Sequence, residues 1–326
     1  MTIKCIIVGS AIGALGLVSG HATGAAQAQE FPEREIQLII PFGPGGATDI
    51  IFRIIAEEAE QYLGATIVPV NVAGAGATRG SRQVLEAEPD GHTLLGSHDT
   101  IALSKLAGMV DYSYDAFEPV ALLTQTINIP TAHSEHPVDS ADEIASYVAE
   151  NPGDVRFAII PSSTDHFFWA QFLAEAGINM EDVRLVGYPD TGEQVSALLA
   201  QEIDFAMFNL PSAGAHFEGG TLKPLGVAHE ERLPALGETP TLRELGLEFD
   251  HATSRGIYAP KGTPQERIDV IADAFGKALE NEELRSRIEN EFGSIVRFLD
   301  GEDYQEFLTQ NEAALAKAAE NIDFQN

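Results

Sequence analysis

Apolar residues along the chain fall into two alternating periods. Short runs of strand character, Ile36 to Pro41, Thr66 to Asn71 and His92 to Gly96, are separated by stretches at helical spacing. The clearest of these is Thr48 to Tyr62, with Ile50, Ile51, Ile54, Ile55 and Ala59 on one face. Glycine-bearing turns join the pieces: Gly43-Pro44-Gly45-Gly46 follows the first run, Gly74 to Gly80 the second, and Pro89-Asp90-Gly91 precedes the third. The grammar of strand, glycine loop, helix and strand predicts a parallel sheet covered by helices, with ligands bound where loops leave the strand ends.

The middle of the chain repeats this grammar. An extended segment from Ala121 to Thr131 leads to a helix over Ser140 to Glu150. Next come strand Val155 to Ile160, helix His166 to Ala176, strand Val183 to Tyr188, helix Glu193 to Ala200 and strand Phe205 to Asn209. A strand at Leu225 to Ala228, a short helix at Leu242 to Leu245 and a strand at Gly256 to Ala259 precede a mostly helical tail. Two α/β units result, joined by crossings near Thr126 and Thr253: residues 29–126 plus 253–326 form the first lobe and residues 127–252 the second.

Residues 1–28 are an address. Lys4 precedes an apolar run from Cys5 to Val18, too short to span a bilayer, and Ala26-Gln27-Ala28 has the small-x-small pattern of a signal-peptidase site. Cleavage after Ala28 exports the chain to the periplasm and removes Cys5, its one cysteine, so that the mature protein has no disulfide.

Composition narrows the partners. The 326 residues are 44% hydrophobic, enough to fill cores, but carry 19 Lys and Arg against 50 Asp and Glu, a net charge of −31. Nucleic acid and anionic membrane surfaces are excluded as natural partners, since both are held by basic residues. An anionic small ligand must be captured by local groups.

The loops offer such groups. In Phe42-Gly43-Pro44-Gly45-Gly46-Ala47-Thr48-Asp49, a strand end meets a helix start, where free N–H groups and the helix dipole suit a carboxylate or phosphate. The Gly-Lys-Ser/Thr of a nucleotide P-loop is missing. Gly74-Ala75-Gly76-Ala77-Thr78-Arg79-Gly80 has its glycines at the wrong spacing for a dinucleotide and follows the second strand, so a second anion-facing loop is the more economical expectation. Ser97-His98-Asp99 contains triad residue types, but neighbours in sequence diverge and cannot form a relay; no nucleophile elbow occurs. His133-Ser134-Glu135-His136 lacks further ligands for a metal. The sequence therefore predicts no catalytic residues, no metal and no cofactor.

Four motifs in order, Phe31-Pro32-Glu33-Arg34-Glu35-Ile36 through Asp49, the loop Gly74 to Gly80, Pro89 through Ser97, and Ala259-Pro260-Lys261-Gly262-Thr263-Pro264, resemble the solute-binding receptors of tripartite tricarboxylate transporters, the TctC or Bug type. The resemblance implies an α/β fold of periplasmic binding protein type II-like form, each lobe a mixed or parallel sheet flanked by helices, with a ligand cleft between. It implies a monomeric receptor that closes on a small organic acid and delivers it to membrane subunits of a tripartite transporter. The alternative is a sensor with the same pocket that signals to a histidine kinase or another partner.

Carried onto this chain, the resemblance assigns one carboxylate end to backbone amides and waters around Phe42, Gly45, Gly46, Ala47, Thr48 and Asp49, Gly76, Ala77 and Thr78, and Ser97 with His98. It assigns the distal part of the solute to the loop Pro161 to His166, with Ser162, Ser163, Thr164 and His166, to the stretch Tyr188 to Gly192, with Tyr188 and Asp190, and to Asn209. The second group departs from the commoner pattern. Pro161-Ser162-Ser163 stands in place of a glycine-rich loop, and Tyr188-Pro189-Asp190 in place of Tyr-Lys-Gly. Without that Lys, a mono-, di- or tricarboxylate, an amino-acid-like solute and an aromatic acid all stay open. Asp165 and Asp190 suit a donor or cation on the ligand, and Asp190 equally suits a helix cap.

Overall fold

The computed structural model describes residues 1–2 and 31–320; the signal-peptide expectation, with Cys5 and the cleavage point after Ala28, lies outside them. The first strand β1 (Ile36–Ile40) runs through the glycine loop into α1 (Ala47–Leu63), which turns its Ile51, Phe52, Ile55, Ala56 and Ala59 inward and ends at Gly64 in the left-handed region. β2 (Ile67–Asn71), α2 (Thr78–Leu85), β3 (Thr93–Ser97) and α3 (Thr100–Leu106) follow. β1 pairs in parallel with both β2 and β3, as the alternation requires.

Two further strands complete this sheet from distant sequence. β4 (Phe117–Ile127) lies antiparallel to β10 (Ala252–Pro260), and β10 lies antiparallel to β3. With β11 (Ser294–Asp300) on β4, the order is β11-β4-β10-β3-β1-β2. The second sheet takes β5 (Ile129–His133), β6 (Val155–Ile159), β7 (Val183–Gly187), β8 (Phe205–Phe208) and β9 (Leu222–Pro224) in the order β7-β6-β8-β5-β9. It is flanked by α4 (Ile144–Glu150), α5 (Thr164–Glu175), α6 (Thr191–Leu199) and α7 (Leu210–Glu218). Helices α8 (Gln265–Glu280), α9 (Glu282–Ser286) and α10 (Gly301–Ala319) follow β10 and enclose β11 in sequence. Both sheets are mixed and covered by helices.

Each sheet has its own apolar cluster. Phe157, Phe168, Trp169, Phe172 and Phe205 fill the second, so the aromatic run on α5 is core. Ile39, Leu95, Phe117, Tyr258 and Tyr304 belong to the first. Gly256 sits where a Cβ would lie 2.0 Å from the Tyr304 hydroxyl and 2.8 Å from the Ala121 carbonyl oxygen, so only glycine lets α10 close on β10.

Several elements differ from their sequence expectation. The extended segment ending at Thr131 is two strands, β4 and β5, in different sheets. The third strand of that region covers Leu222–Pro224, ahead of its expected position at Leu225; Val227 makes only an isolated bridge to Thr241, and residues 242–245 form turns rather than a helix. Helices α3 and α7 and strand β11 have no counterpart in the expected elements. β10 begins at Ala252 because polar residues in this stretch satisfy one another inside the sheet: Gln125 Nε2 donates to Ser254 Oγ at 3.1 Å, and Thr126 Oγ1 lies 2.5 Å from Ser294 Oγ.

Candidate functional site

The loops that leave β1, β3, β6, β7 and β8 meet β10 around a cleft of about 100 Å³. From the first sheet it is lined by Phe42, Gly46, Ala47, Thr48, His98, Thr253 and Arg255. From the second it is lined by Ile160, Ser163, Thr164, Asp165, Thr191, Gln194, Met207, Asn209 and Ser212.

Local forces set the first wall. Gly45 takes φ +81°, which favours glycine, and lets the chain turn into α1 at Gly46. No side chain caps this helix at Gly46, and the residues that begin it, Gly46, Ala47 and Thr48, line the cleft. Asp49 lies in the first turn but points away from that role. Its Oδ2 accepts from Gly45 N at 2.9 Å, and its Oδ1 accepts from Arg53 Nε and Asn71 Nδ2, each at 2.8 Å. Asn71 also donates to the Phe42 carbonyl at 3.1 Å, so this network fixes the loop against β2.

His98 stacks on Phe42 with ring centroids 4.5 Å apart and planes 11° from parallel. Its Nδ1 accepts from the Thr100 amide and lies 2.9 Å from Thr100 Oγ1 and 3.4 Å from Thr164 Oγ1. Burial and the nearby Arg255 charge hold the imidazole pKa well below its ordinary value. The ring is therefore neutral near pH 7, and accepting at Nδ1 leaves Nε2 as the N–H donor.

Arg255 is 2% exposed. Its Nε donates to Thr48 Oγ1 at 3.1 Å, and its Nη1 donates to Thr126 Oγ1 and, at 3.4 Å, to the Thr253 carbonyl. Desolvation brings its pKa down to about 9, still protonated near neutrality.

The second wall is differently made. Ser163 begins α5 without a side-chain cap. Asp165 accepts from Ile160 N at 2.8 Å, Gln194 Nε2 at 2.6 Å and its neighbour His166 N at 2.9 Å. Burial pushes its carboxyl up to about 6 despite these bonds. α6 is capped by Asp190, which accepts from Glu193 N at 2.9 Å. α7 has a capping box between Asn209 and Ser212, with Pro211 in its first turn.

Of the residues expected from sequence, the fold brings Phe42, Gly46, Ala47, Thr48, His98, Ser163, Thr164 and Asn209 to the cleft. Gly45, Asp49 and Ser162 shape its loops without lining it. Ser162 N donates to His166 Nδ1 at 3.2 Å across a turn in which Ser162 has φ +61°. Gly76, Ala77 and Thr78 begin α2, where Ser104 Oγ donates to the Gly76 carbonyl at 3.2 Å; they do not line the cleft. Ser97 is fully buried in β3, Tyr188 packs against the second sheet beside Val186, and exposed Asp190 is a cap. Thr191, within the expected stretch Tyr188 to Gly192, also lines the cleft; sequence reasoning missed Arg255, Gln194, Ser212, Ile160, Met207 and Thr253. The capping pattern of Asn209 with Ser212 three residues on could have found Ser212; an Arg amid β-strand residues gives no comparable signal.

A larger depression of about 490 Å³ involves α10, α5 and residues 250–252. Asp99, Asp250 and Glu320 face it together with Lys317, so its electrostatics are unsuited to an anion.

Comparison with known proteins decides the family. The model of the tripartite tricarboxylate transporter family receptor, TctC, matches residues 51–322. The chain belongs to this family of solute-binding receptors. They are not enzymes. A UPF0065 protein of Bordetella pertussis is 30% identical over 261 residues, covering 79% of this chain and 80% of that protein. Protein BugT of the same organism is 28% identical, covering 86% of each. Among solved TctC-like structures, the periplasmic binding protein BugD is 27% identical with a TM-score of 0.79, over 88% of this chain and 97% of BugD. MatC from Rhodopseudomonas palustris, solved with bound malate, is 27% identical with a TM-score of 0.80, over 89% of this chain and 100% of MatC. The relatives are thus periplasmic binding proteins, and the two-sheet architecture is theirs.

Proposed function

We propose that this TctC-family protein captures a small organic acid in the cleft and delivers it, in the periplasm, to membrane subunits of a tripartite transporter. The observation that carries this reading is the meeting of two helix N-termini without side-chain caps, α1 at Gly46 and α5 at Ser163, on one cleft beside the neutral donor His98. Orphan amides at helix starts, backed by the helix dipole, favour an anion. MatC, which binds malate, supports a carboxylate here.

In this reading Phe42, Gly46, Ala47, Thr48 and His98 hold the carboxylate, while Ser163, Thr164 and Asn209 meet the rest of the solute. Residues 29–126 plus 253–326 and residues 127–252 are the two lobes, which close as a monomer's hinge. Residues 1–28 are removed after Ala28. The test is thermal stability of the mature protein across a panel of mono-, di- and tricarboxylates, amino acids and aromatic acids. A ligand that binds only the folded state raises the melting temperature. We expect one acid to do so with compaction in solution scattering; a silent panel overturns the receptor reading.

A further inference from the structure

Arg255 lies on β10, not on a loop, and its surroundings leave its charge unanswered. Every hydrogen bond it makes goes to a neutral oxygen, on Thr48, Thr126 or Thr253. Among the described residues, no carboxylate oxygen lies within 4.0 Å of its guanidinium. Asp99 attracts it through space, but Asp99 Oδ2 already accepts from Ser254 N at 3.0 Å. A buried guanidinium without an anion in contact is costly, because the interior replaces the water that stabilised its charge.

The position of the group suggests what completes it. Arg255 and Thr48 both line the cleft, and Thr48 stands in the first turn of α1. Its hydroxyl oxygen accepts from Arg255 Nε, which leaves the hydroxyl proton to donate elsewhere. None of the hydrogen bonds among the described residues engages Nη2. A guanidinium presents planar paired donors that match the two oxygens of a carboxylate.

We propose that Arg255 bonds the solute's carboxylate directly, side chain to anion, so that a full charge and not only backbone amides and dipoles anchors the ligand. This inference rests on the receptor reading and adds to it the residue that selects for an ionised group. It also fixes the polarity of the ligand: the anionic end lies against Arg255 and α1, and a hydrogen-bonding end lies toward Gln194 and Ser212.

The test compares wild type, Arg255→Gln and Arg255→Lys, each as mature chain dialysed free of solute. Calorimetric titrations use acetate, lactate, malate, adipate, benzoate and glutamate, each beside the amide that replaces its carboxylate. We expect the tightest acid to weaken about 100-fold in Arg255→Gln, and the preference for acid over amide to collapse with it. Arg255→Lys keeps the charge without the planar fork and falls between. The unliganded Arg255→Gln protein keeps or raises its melting temperature, because a buried cation is gone, whereas a purely structural brace predicts a fall. Acid binding in Arg255→Gln within threefold of wild type, with the acid preference intact, overturns the proposal and leaves the receptor reading standing. Wild type that binds none of the acids overturns the receptor reading, and this proposal with it. Should Arg255→Gln not fold, Arg255→Lys and the wild-type acid-to-amide ratio decide: equal binding of acid and amide by wild type, or undiminished acid binding by Arg255→Lys, overturns it.

Discussion

The two walls of the cleft use the same structural element, a helix N-terminus at a strand end, to opposite effect. On the first wall α1 starts at a glycine, its amides are left without a side-chain cap, and the neighbouring groups are a neutral His98 and a cationic Arg255. On the second wall α6 and α7 are occupied by their own caps, Asp190 and Asn209, and Asp165 spends both its oxygens on Ile160, Gln194 and His166. Only α5 stays without a cap there, and like α1 with Asp49 it carries an acid, Asp165, in its first turn. The difference teaches where the walls part: both offer an uncapped helix start, but the first adds the cation Arg255 and the neutral ring of His98, and the second adds capped helices whose side chains have fixed geometry. In the proposed receptor the first wall therefore takes the larger share of anion capture and the second the larger share of discrimination.

The sharpest way to break this comparison is to delete one amide from the first wall. Ala47 is the first helical residue, and Gly46 before it has φ −78° and ψ 164°, which a following proline accepts. Ala47→Pro is therefore expected to fold as wild type by circular dichroism and to weaken the bound acid about 10- to 100-fold, the worth of a hydrogen bond to a charged group. Unchanged affinity by calorimetry would show that the α1 amides are not part of the grip.

Next in size is a pH effect from the second wall. Burial pushes the Asp165 carboxyl from its ordinary 3.8 up to about 6, so the folded state holds more proton than the unfolded state between those values and stability falls as pH rises through them. Asp165→Asn stays neutral and loses this dependence. In chemical denaturation the wild type is expected to lose about 2 kcal/mol relative to Asp165→Asn between pH 4 and pH 7.5. A stability difference between the two proteins that does not change with pH would show that burial does not hold this carboxyl up.

A smaller effect separates cap from ligand contact. Asn209→Ala removes the α7 capping box and is expected to cost about 1 kcal/mol in chemical denaturation. Equal loss of stability with and without solute identifies a cap; a loss that grows in the liganded protein identifies a contact. The least effect concerns rate. With a net charge of −31, the distant field repels an anion, and salt shortens its reach from about 30 Å at 0.01 M to about 8 Å at 0.15 M. Stopped-flow association is expected to speed up about threefold with salt, against the usual direction for a ligand drawn to opposite charge.

Much of the first wall was legible in sequence because its signal is local. A strand, a glycine turn and an amphipathic helix lie within thirty residues of one another, and α1 forms where its apolar spacing predicts. The second wall was less so. Asp190 read equally as ligand contact or cap, and its bond to Glu193 N is visible only once the backbone is placed. The start of β10, ahead of the expected Gly256 to Ala259, and the whole of β11 were hidden for a different reason: their partners in β4 are more than a hundred residues away, and Ser254 with Gln125, and Thr126 with Ser294, are polar residues paired by hydrogen bonds inside the sheet. Periodicity registers apolar faces and cannot register such pairs. Arg255 belongs to that hidden class, which is why the cationic side chain lining the cleft was absent from the sequence-based set.

The bare start of α1 bears on how such a receptor can change its diet. A backbone N–H is common to every residue except proline, so an alanine scan along Gly46 to Thr48 leaves those amides in place. In the proposed binding mode the grip they supply is insulated from nearly all point substitutions. Asp165, Gln194 and Asn209 enjoy no such protection: a single codon change alters what they accept or donate. In the proposed receptor new solutes therefore lie within short mutational reach through the second wall, while on the first wall the side chains of Arg255 and His98, but not the α1 amides, are open to a single codon change.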